Sequence, residues 1–406
     1  MKKVLIITYY WPPSTDSKVL RWLYFVKYLK QYNWEPTVIS LFPEKNNTND
    51  DFYAEQIPRD TEIISIHAET QIHKLKRILQ KDDSNSTGIN IKKAAKRILK
   101  TINNKSFNAF ITDGPPHEIH FIGKKLKNQL KIPWLVDFTF GWFTEIHFSD
   151  TAQRTKTEKI KQRFESDILP LCDFIITGSN KLASQFIEIG YDRVEIITDG
   201  YDYIPVVKET DNKFTILHVG RMSNNRNPDN LWKALATLKF EDEDFSNDLR
   251  IELVGEIDRS IFKSLIHQNL IENLVYREYL EPTDAITRQF QSQVLLLIIN
   301  RTLDAQGIIP NKLFEYLAAF RPILGIGPVG GDAAEIVQYS KAGRMFNYKE
   351  YRELKNQLSD WYNDYKNKEL VVRSIGVKKY SRRSLTRQLV DILEKVSSQK
   401  KDYSIS

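Results

Sequence analysis

Cysteine is nearly absent from this chain of 406 residues, in which Cys172 is the single example. One cysteine cannot close a disulfide within the chain, and it cannot supply the thiolates of a cysteine-based metal cage. Long hydrophobic runs are absent as well, since no apolar stretch approaches the ~20 residues that a membrane-spanning helix needs. The charged start, Lys2-Lys3, leads into a short apolar stretch without a small-residue cleavage site, which argues against a secretory signal peptide. These absences predict a cytoplasmic protein.

Acidic residues are scarce between residues 74 and 131, whereas the whole chain is closer to balance, with 59 Lys and Arg against 52 Asp and Glu. The basic residues of this segment are Lys74, Lys76, Arg77, Lys81, Lys92, Lys93, Lys96, Arg97, Lys100, Lys105, Lys124, Lys125, Lys127 and Lys131. The segment suits anionic lipid headgroups, nucleic acid or an anionic substrate, although from charge alone a solvated lysine-rich surface is the simpler interpretation. No zinc-finger spacing or RNA-binding signature accompanies it, so we do not expect a nucleic-acid partner.

Glycine is missing from the first loop of the chain, "YYWPPSTDSKVLRW", which covers residues 9 to 22. The loop follows the apolar run Val4-Leu5-Ile6-Ile7 and precedes an amphipathic segment, so it connects a strand to a helix. Loops in this position often bind a phosphate or a sugar, and they usually contain glycine because the backbone must approach the ligand closely. The missing glycine leaves open whether this loop binds a ligand.

Short apolar runs alternate with amphipathic segments along the whole sequence. Strands are predicted at residues 3–8, 36–41, 62–66, 108–112, 133–137, 173–177, 194–198, 214–219, 250–254, 274–277, 293–299, 322–326 and 344–346. Helices are predicted at residues 118–130, 155–169, 180–189, 228–238, 260–270, 311–320 and 350–366, and over the stripe Val19, Trp22, Leu23, Val26 and Leu29. Alternation of strands with helices predicts an α/β fold with parallel sheets.

The alternating pattern runs through twice and breaks at residues 199–214, which are polar and contain Pro205. We therefore predict two doubly wound, Rossmann-like domains that face each other across a cleft. The first domain covers residues 1–204, the second covers residues 205–379, and a C-terminal helix over about residues 380–398 packs back on the first. Ligands in such sheets bind beyond the carboxyl ends of the strands, so the loops that follow strands should carry the site.

Two stretches of the second half carry residues suited to a nucleotide. In "ILHVGRMSNNRNPDNLWKAL", Arg221 and Arg226 follow a strand and precede a helix, where two guanidiniums would suit a diphosphate. Taken alone, this pattern is more typical of ordinary surface arginines. In "GIIPNKLFEYLAAFRPILGIG", Lys312 and Glu315 share a helix face, and the carboxylate can accept hydrogen bonds from neighbouring hydroxyls such as those of a ribose. The alternative is a surface ion pair of little energetic value.

These two stretches, in this order, resemble the C-terminal half of a GT-B glycosyltransferase of family 4. Gly220-Arg221 followed by Arg226 matches the first motif of that family, and "KLFEYLAAFRPIL" matches the second. The first loop, "ITDGPPHEIHFIGKKLK" and "IPWLVDFTFGW" look like stretches of the bacterial polysaccharide-assembly subgroup. The resemblance covers most of the chain, except residues 45–105.

The resemblance implies a hexosyltransferase that moves a sugar from a UDP- or GDP-type nucleotide-sugar to a glycan or lipid-linked acceptor in surface polysaccharide biosynthesis. It implies retention of configuration, no metal ion and no cofactor. Arg221 and Arg226 would hold the diphosphate, and Arg226 would also stabilise the leaving nucleotide as a catalytic residue. Glu315 would bind the ribose. The remaining donor-binding residues that the resemblance implies are Asn311, Lys312, Gly331 and Asp332.

On the first domain, the resemblance implies a catalytic role for His117, which aligns with a histidine near the reacting sugar. The alternative is a structural histidine, and His120, three residues on, is expected to pack. The predicted acceptor and cleft residues are Ser14, Thr15, Asp16 and Asp137. For Asp16 the alternative role is to cap the following helix.

The first domain also departs from the family pattern. Thr15-Asp16 stands where relatives commonly have two glycines, and Thr139-Phe140 replaces an Arg and an Asp. These departures predict an unusual acceptor, and they also permit a silent subunit that binds a sugar nucleotide or a partner glycosyltransferase. A sugar-nucleotide epimerase of the same fold fits the motif order less well. The basic segments 74–105 and 124–131 would dock the protein peripherally on the inner, anionic face of the membrane.

Overall fold

The computed structural model describes residues 1–14, 16–41, 53–66, 89–139, 141, 151–202 and 209–398, with residues 151–154 and 156 described through their backbone. The described residues fall into two compact units. The first unit consists of residues up to 141, 151–199 and 382–398, and the second consists of residues 200–202 and 209–381. The predicted site residue Thr15, together with Phe140 and residues 74–88 of the basic segment, lies outside the described residues.

The first unit contains a parallel sheet with the strand order β3-β2-β1-β4-β5-β6-β7. Its strands are β1 (Lys2–Thr8), β2 (Trp34–Ser40), β3 (Glu62–Ser65), β4 (Ala109–Gly114), β5 (Trp134–Phe138), β6 (Phe174–Thr177) and β7 (Val194–Ile196). The helices that alternate with them are α1 (Val19–Leu29), α2 (Ile91–Thr101), α3 (Ile119–Leu130), α4 (Thr151–Asp167) and α5 (Asn180–Glu188). The strand order reverses between β1 and β4, which is where doubly wound sheets open a crevice for ligands.

The second unit contains another parallel sheet, with the strand order β10-β9-β8-β11-β12-β13. Its strands are β8 (Phe214–Val219), β9 (Leu249–Val254), β10 (Leu274–Arg277), β11 (Val294–Ile298), β12 (Ile323–Ile326) and β13 (Gly343–Phe346). Its helices are α6 (Asp229–Glu241), α7 (Glu243–Asp248), α8 (Arg259–His267), α9 (Pro282–Gln291), α10 (Asn311–Ala319), α11 (Asp332–Tyr339) and α12 (Arg352–Lys366). Here the strand order reverses between β8 and β11.

A last helix, α13 (Arg382–Ser398), belongs to the first unit although it follows the second along the chain. Its apolar side chains Leu385, Leu389 and Leu393 are buried in the same core as Trp22 and Val26 of α1. The two helices pack against each other, so both ends of the described chain contribute to one hydrophobic core.

The predicted α/β architecture with parallel sheets is confirmed, and every predicted strand overlaps a strand of the structure. The predicted helices are present as well, whereas α2, α7, α9 and α11 were not predicted. In α2 the buried face consists of Ala94, Ala95 and Ile98 among lysines, so its apolar stripe is too weak to be recognised. No helix in the described ranges has the length and apolarity needed to cross a membrane.

Candidate functional site

Strands β8 and β11 separate at their carboxyl ends, and side chains fill the opening. The paired register ends at Leu217 and Leu295. Beyond it, His218 Nδ1 donates a hydrogen bond to the Leu296 carbonyl at 3.0 Å, and the Val219 amide donates to the Tyr316 hydroxyl at 3.1 Å. This is the point at which the strand order of the second sheet reverses, so the crevice beyond it is the candidate ligand site.

The loops that follow β8 and β9 run side by side at this crevice. Gly220 has φ +136° and Gly255 has φ +119°, which are backbone conformations that favour glycine. A Cβ atom on Gly255 would lie 2.6 Å from the Gly220 carbonyl oxygen, so the two backbones touch. The Gly220 amide donates to the Val254 carbonyl at 2.8 Å, and the Met222 amide donates to the Glu256 carbonyl at 2.9 Å. These contacts fix the start of the loop that carries Arg221 and Arg226.

Arg226 folds back over this loop. Its Nη1 donates to the Arg221 carbonyl at 2.9 Å, and its Nε donates to Asn300 Oδ1, at the end of β11. Burial and the neighbouring Arg221 guanidinium lower the pKa of Arg226. Arg221 itself is exposed, with its Nε 3.4 Å from a Glu256 carboxylate oxygen. Two guanidiniums held on one loop form a site that an anion with several oxygens would stabilise.

Glu315 lies one turn into α10, and two donors hold the same oxygen of its carboxylate. Lys312 Nζ donates to Oε2 at 2.6 Å, and Gln289 Nε2, from α9, donates to Oε2 at 2.9 Å. Lys312 and Glu315 therefore form the predicted pair on one helix face. The other oxygen, Oε1, receives no hydrogen bond from the part of the chain that the structure describes, so it is available to a ligand hydroxyl.

His218 is a functional candidate that the sequence did not single out. It is buried, and burial lowers its pKa to about 4, with Arg226 and Lys312 lowering it further and the carbonyls of Leu296 and Arg221 opposing the shift. Because Nδ1 donates to the Leu296 carbonyl, Nε2 of the neutral ring carries the lone pair. The Arg221 carbonyl is near enough to affect the pKa, but an unprotonated nitrogen cannot donate to it, and Nε2 has no hydrogen-bond donor among the described residues. The one feature of the sequence that could have indicated His218 as a site residue is its place as a polar residue near the end of the apolar strand "FTILHV".

The other predicted donor-binding residues begin helices of the second unit. Asn311 is the first residue of α10, and its buried Oδ1 has no hydrogen-bond partner among the described residues. Gly331 directly precedes α11, and a Cβ atom there would lie 2.8 Å from the Gln306 carbonyl oxygen. Asp332, the first residue of α11, is buried. The structure thus brings Arg221 and Arg226 together and pairs Lys312 with Glu315, while Gly331 and Asp332 lie beside the Gln306 segment.

In the first unit, His117 lies between β4 and α3, where its ring stacks on Phe138. The ring centroids are 4.0 Å apart with an interplanar angle of 10°, and the His120 ring is 5.8 Å away. His120 is fully buried, with Nδ1 2.9 Å from the Thr112 hydroxyl, and burial lowers its pKa. A Cβ atom on Gly114 would lie 2.7 Å from His117 Nδ1 and 2.6 Å from His120 Nε2. Glycine at this position therefore gives both rings their space.

Asp137 is fully buried and engaged by Arg21 in a two-point ion pair. Arg21 Nε donates to Oδ2 at 2.7 Å, Nη2 donates to Oδ1 at 3.1 Å, and the Thr139 hydroxyl donates to Oδ1 at 3.0 Å. Arg21 Nη1 also lies 3.5 Å from Asp199. Despite Arg21, burial raises the pKa of Asp137, and burial together with the Asp137 charge raises the pKa of the neighbouring Asp113. The predicted acceptor residue Asp137 thus lies in a buried charge cluster that the sequence did not indicate.

The polar side chains of the first loop form hydrogen bonds with the backbone of the same loop. Asp16 Oδ1 accepts a hydrogen bond from the Lys18 amide at 2.9 Å, and the Asp16 carbonyl accepts one from the Val19 amide at 3.0 Å. Ser14 Oγ accepts a bond from the Asp16 amide at 3.3 Å. These contacts form a turn that leads into α1. The N-cap residue of α1 is Lys18, and no side chain accepts a capping hydrogen bond there, so Asp16 does not have the capping role that was its alternative.

Known proteins are similar to this chain in part of its sequence and in its fold. Residues 213–364 match the family model described as Glycosyl transferases group 1, and no curated protein sequence matches the chain. A glycosyltransferase from Rickettsia africae ESF-5 is similar in structure, with a TM-score of 0.69, 14% identity, and 97% of this chain and 98% of that chain covered.

Two further solved structures are similar over nearly the whole chain. Anabaena HepE, solved in complex with UDP and glucose, has a TM-score of 0.67 and 13% identity, with 97% of this chain and 100% of that chain covered. Sucrose-phosphate synthase from Thermosynechococcus elongatus has a TM-score of 0.68 and 13% identity, with 98% and 100% covered. The chain therefore has the GT-B fold, and the part of its second unit that matches the Glycosyl transferases group 1 model, residues 213–364, contains both predicted donor motifs.

Proposed function

We propose that this protein is a glycosyltransferase that uses a nucleotide-sugar donor of the UDP or GDP type. The observation that carries the proposal is the switch point of the second sheet. The loop with Arg221 and Arg226 follows β8, and α10, which contains Glu315, follows the neighbouring strand β11. The match of residues 213–364 to group 1 glycosyl transferases and the UDP complex of HepE support a nucleotide donor.

In the proposed reaction, the bond between the anomeric carbon and the diphosphate oxygen breaks, and the diphosphate leaves with the electron pair. The guanidiniums of Arg221 and Arg226 bind that diphosphate, and Arg226 stabilises the charge that develops on it. Glu315 binds the ribose, while Asn311, Lys312, Gly331 and Asp332 serve the donor sugar and its phosphates. The oxygen of the acceptor hydroxyl forms the new bond to the anomeric carbon, and its proton passes to the departing diphosphate. We propose a hexosyl transfer with retention that needs neither a metal ion nor a cofactor.

The proposal assigns the first unit to the acceptor, a glycan or lipid-linked oligosaccharide of surface polysaccharide synthesis. His117 would contact the transferred sugar or position the acceptor, because its ring is held flat against Phe138 at the end of β5. Ser14, Thr15 and Asp16 would shape the acceptor loop. Asp137 would act through Arg21 of α1, the helix that follows this loop, rather than on the acceptor, since Arg21 and Thr139 occupy its oxygens.

The second candidate function is a subunit that binds a sugar nucleotide or a partner glycosyltransferase without transferring sugar. The observation in its favour is that Asp137 and Thr139 are bonded to the protein itself, whereas the donor motifs of the second unit keep open groups. Turnover separates the two candidates.

The deciding experiment incubates the protein with a panel of UDP-, GDP- and dTDP-sugars, with and without lipid extract as acceptor, and measures nucleotide release. Release that disappears in Glu315→Ala and Arg226→Ala supports the enzyme. Arg259→Ala, at an exposed arginine that begins α8, is the matched control and should leave release unchanged. Binding of a sugar nucleotide without release, even with lipid extract, would support the silent subunit instead.

Peripheral attachment to the inner face of the membrane is part of the proposal. The helix α2 has no acidic residue and packs against α3. The exposed basic residues of these helices and of the segment that follows α3 are Lys92, Lys93, Lys96, Arg97, Lys100, Lys125 and Lys131. Charges clustered in this way bind anionic lipid with an affinity that falls as salt screens them.

Liposome co-sedimentation tests the membrane proposal. We expect binding to vesicles with phosphatidylserine, weaker binding at high salt, and little binding to phosphatidylcholine vesicles. The variant Lys92→Glu/Lys96→Glu should lose binding, while Lys349→Glu/Arg352→Glu makes the same change of charge on exposed residues of the second unit and should retain it. Binding that ignores both anionic lipid and salt contradicts the proposal.

A further inference from the structure

Gln289 is a polar residue in a fully buried position of α9. Its relative exposure is 0%, and its neighbours Ala285 and Phe290 on the same helix are buried apolar residues. The side-chain Nε2 donates to Glu315 Oε2 at 2.9 Å. Its Oε1 is also buried and finds no hydrogen-bond partner within the described ranges. The side-chain amide of Gln289 therefore makes a hydrogen bond through its nitrogen, to Glu315, and none through its oxygen.

A buried side-chain amide with only one of its two polar atoms hydrogen-bonded lowers the stability of the fold. Leaving a buried carbonyl oxygen without a donor costs free energy that an apolar side chain of the same volume would not cost. The compensating contact is a charge-assisted hydrogen bond to a carboxylate, which is stronger than a bond between neutral groups. What the amide provides at this position is the orientation of the Glu315 carboxylate.

The hydrogen bonds from Gln289 and Lys312 determine which oxygen of the Glu315 carboxylate can contact a ligand. Oε2 receives one hydrogen bond from Gln289 and one from Lys312, which accounts for both of its lone pairs. Lys312 is partly exposed and has a flexible chain, whereas Gln289 is fully buried on α9, whose Ala285 and Phe290 belong to the hydrophobic core. Gln289 therefore fixes the side-chain torsions of Glu315 and turns Oε1, with its two lone pairs, outward.

We propose that Gln289 is a positioning residue that presents Glu315 Oε1 to the ribose of the donor, and that it thereby sets the preference for ribonucleotides over 2′-deoxyribonucleotides. The inference rests on the proposed binding of a nucleotide ribose by Glu315. A site whose acceptor is built for a hydroxyl discriminates against the ligand that lacks this hydroxyl, because the bound ligand then covers an acceptor that is left unpaired. Gln289 does not touch the nucleotide and acts through Glu315.

The test compares dissociation constants for UDP and 2′-deoxy-UDP, or for the guanosine pair if the wild-type protein binds that base, by titration calorimetry. In the wild-type protein we expect the deoxynucleotide to bind at least about tenfold more weakly, the range of one hydrogen bond to a charged group. Gln289→Met keeps the volume and removes the donor. It should weaken binding of the ribonucleotide, leave the deoxynucleotide nearly unchanged, and lower the discrimination at least about fivefold.

Gln293→Met is the matched control, because it replaces another buried glutamine of the same unit. Gln293 donates to the Asp211 carbonyl at 2.7 Å and accepts from the Thr215 amide at 3.1 Å, away from Glu315. It should leave the discrimination unchanged even if it lowers stability. A purely structural role for Gln289 would make the two variants behave alike, which would overturn the inference.

Glu315→Ala distinguishes the inference from the proposed function. If it removes the discrimination and Gln289→Met does not, the ribose contact stands and the positioning role is wrong. If Glu315→Ala leaves the discrimination intact, or the wild-type protein binds neither nucleotide pair, the ribose contact itself is wrong. In the Glu315→Ala background, Gln289→Met should have no further effect on the discrimination, since a positioning residue needs the group that it positions.

Discussion

Replacing Arg21 by methionine should destabilise the first unit strongly. Arg21 is 5% exposed, and it faces the carboxylates of Asp137, Asp199 and Asp113. Its removal leaves the fully buried Asp137 without its two guanidinium hydrogen bonds. Breaking a buried ion pair by removing one partner costs about 3–5 kcal/mol. For a unit of this size, each kcal/mol lowers the melting temperature by about 2–4 °C, so we expect a fall of roughly 6–20 °C.

Urea unfolding followed by tryptophan fluorescence measures this loss in the first unit, whose core contains the buried Trp11, Trp22 and Trp34. Arg387→Met is the matched control, because Arg387 forms an exposed ion pair with Asp391 at 3.1 Å in α13. That pair is solvated on both sides, and its removal should change the unfolding free energy by less than about 0.5 kcal/mol.

The loss of unfolding free energy in Arg21→Met should depend on pH, which provides a second check. Without the guanidinium, the pKa of Asp137, already raised by burial, rises further above its value in the unfolded chain. Between the pKa of Asp137 in the unfolded chain and its higher pKa in the folded variant, the folded state binds more protons than the unfolded state. The stability of the variant therefore falls as pH rises through this range. The loss should therefore be smaller at pH 5 than at pH 7.5, and Asp137→Asn added to Arg21→Met should recover part of it. A loss no larger than that of Arg387→Met, or a double variant no more stable than the single one, would refute this account of the cluster.

Three further predictions follow from the geometry. Gly114→Ala places a Cβ atom 2.7 Å from His117 Nδ1 and 2.6 Å from His120 Nε2, so turnover should fall by about 10²-fold while the dissociation constant of the nucleotide is unchanged. Gly255→Ala combines φ +119° with a 2.6 Å contact to the Gly220 carbonyl oxygen. It should weaken nucleotide binding and cost about 2–4 kcal/mol in thermal unfolding, whereas Gly330→Ala, which meets open space, should do neither. His218, with its pKa lowered from 6.5 to about 4, is neutral in the folded state, so stability should fall by about 3 kcal/mol as pH falls from 6.5 to 4. His218→Gln should reduce that fall in urea titrations at each pH.

The parts of the candidate site that the sequence predicted are those whose residues are close together along the chain. Arg221 and Arg226 share one loop, and Lys312 and Glu315 share one helical turn. Local spacing is therefore enough to predict that each pair meets. The strands were predictable for the same reason, since a buried parallel strand is a short continuous apolar run.

The parts that the sequence did not predict depend on partners far along the chain. Arg21 belongs to an amphipathic helix in which a basic residue normally faces water, and its burial depends on Asp137, 116 positions later. Gln289 lies in a helix that the apolar pattern did not indicate, and its partner Glu315 is 26 positions away. A single sequence contains no local signal for such pairs.

The helix α13 links the folding of the first unit to the order of protein synthesis. Its buried residues Leu385, Leu389 and Leu393 complete a core that begins with β1 and α1. On the ribosome, the N-terminal strands and helices emerge long before α13, because the whole second unit lies between them. At typical elongation rates of about 5–20 residues per second, the exposed face of α1 waits on the order of twenty to seventy seconds for its partner helix. The nascent first unit therefore presents an uncovered apolar surface for that time.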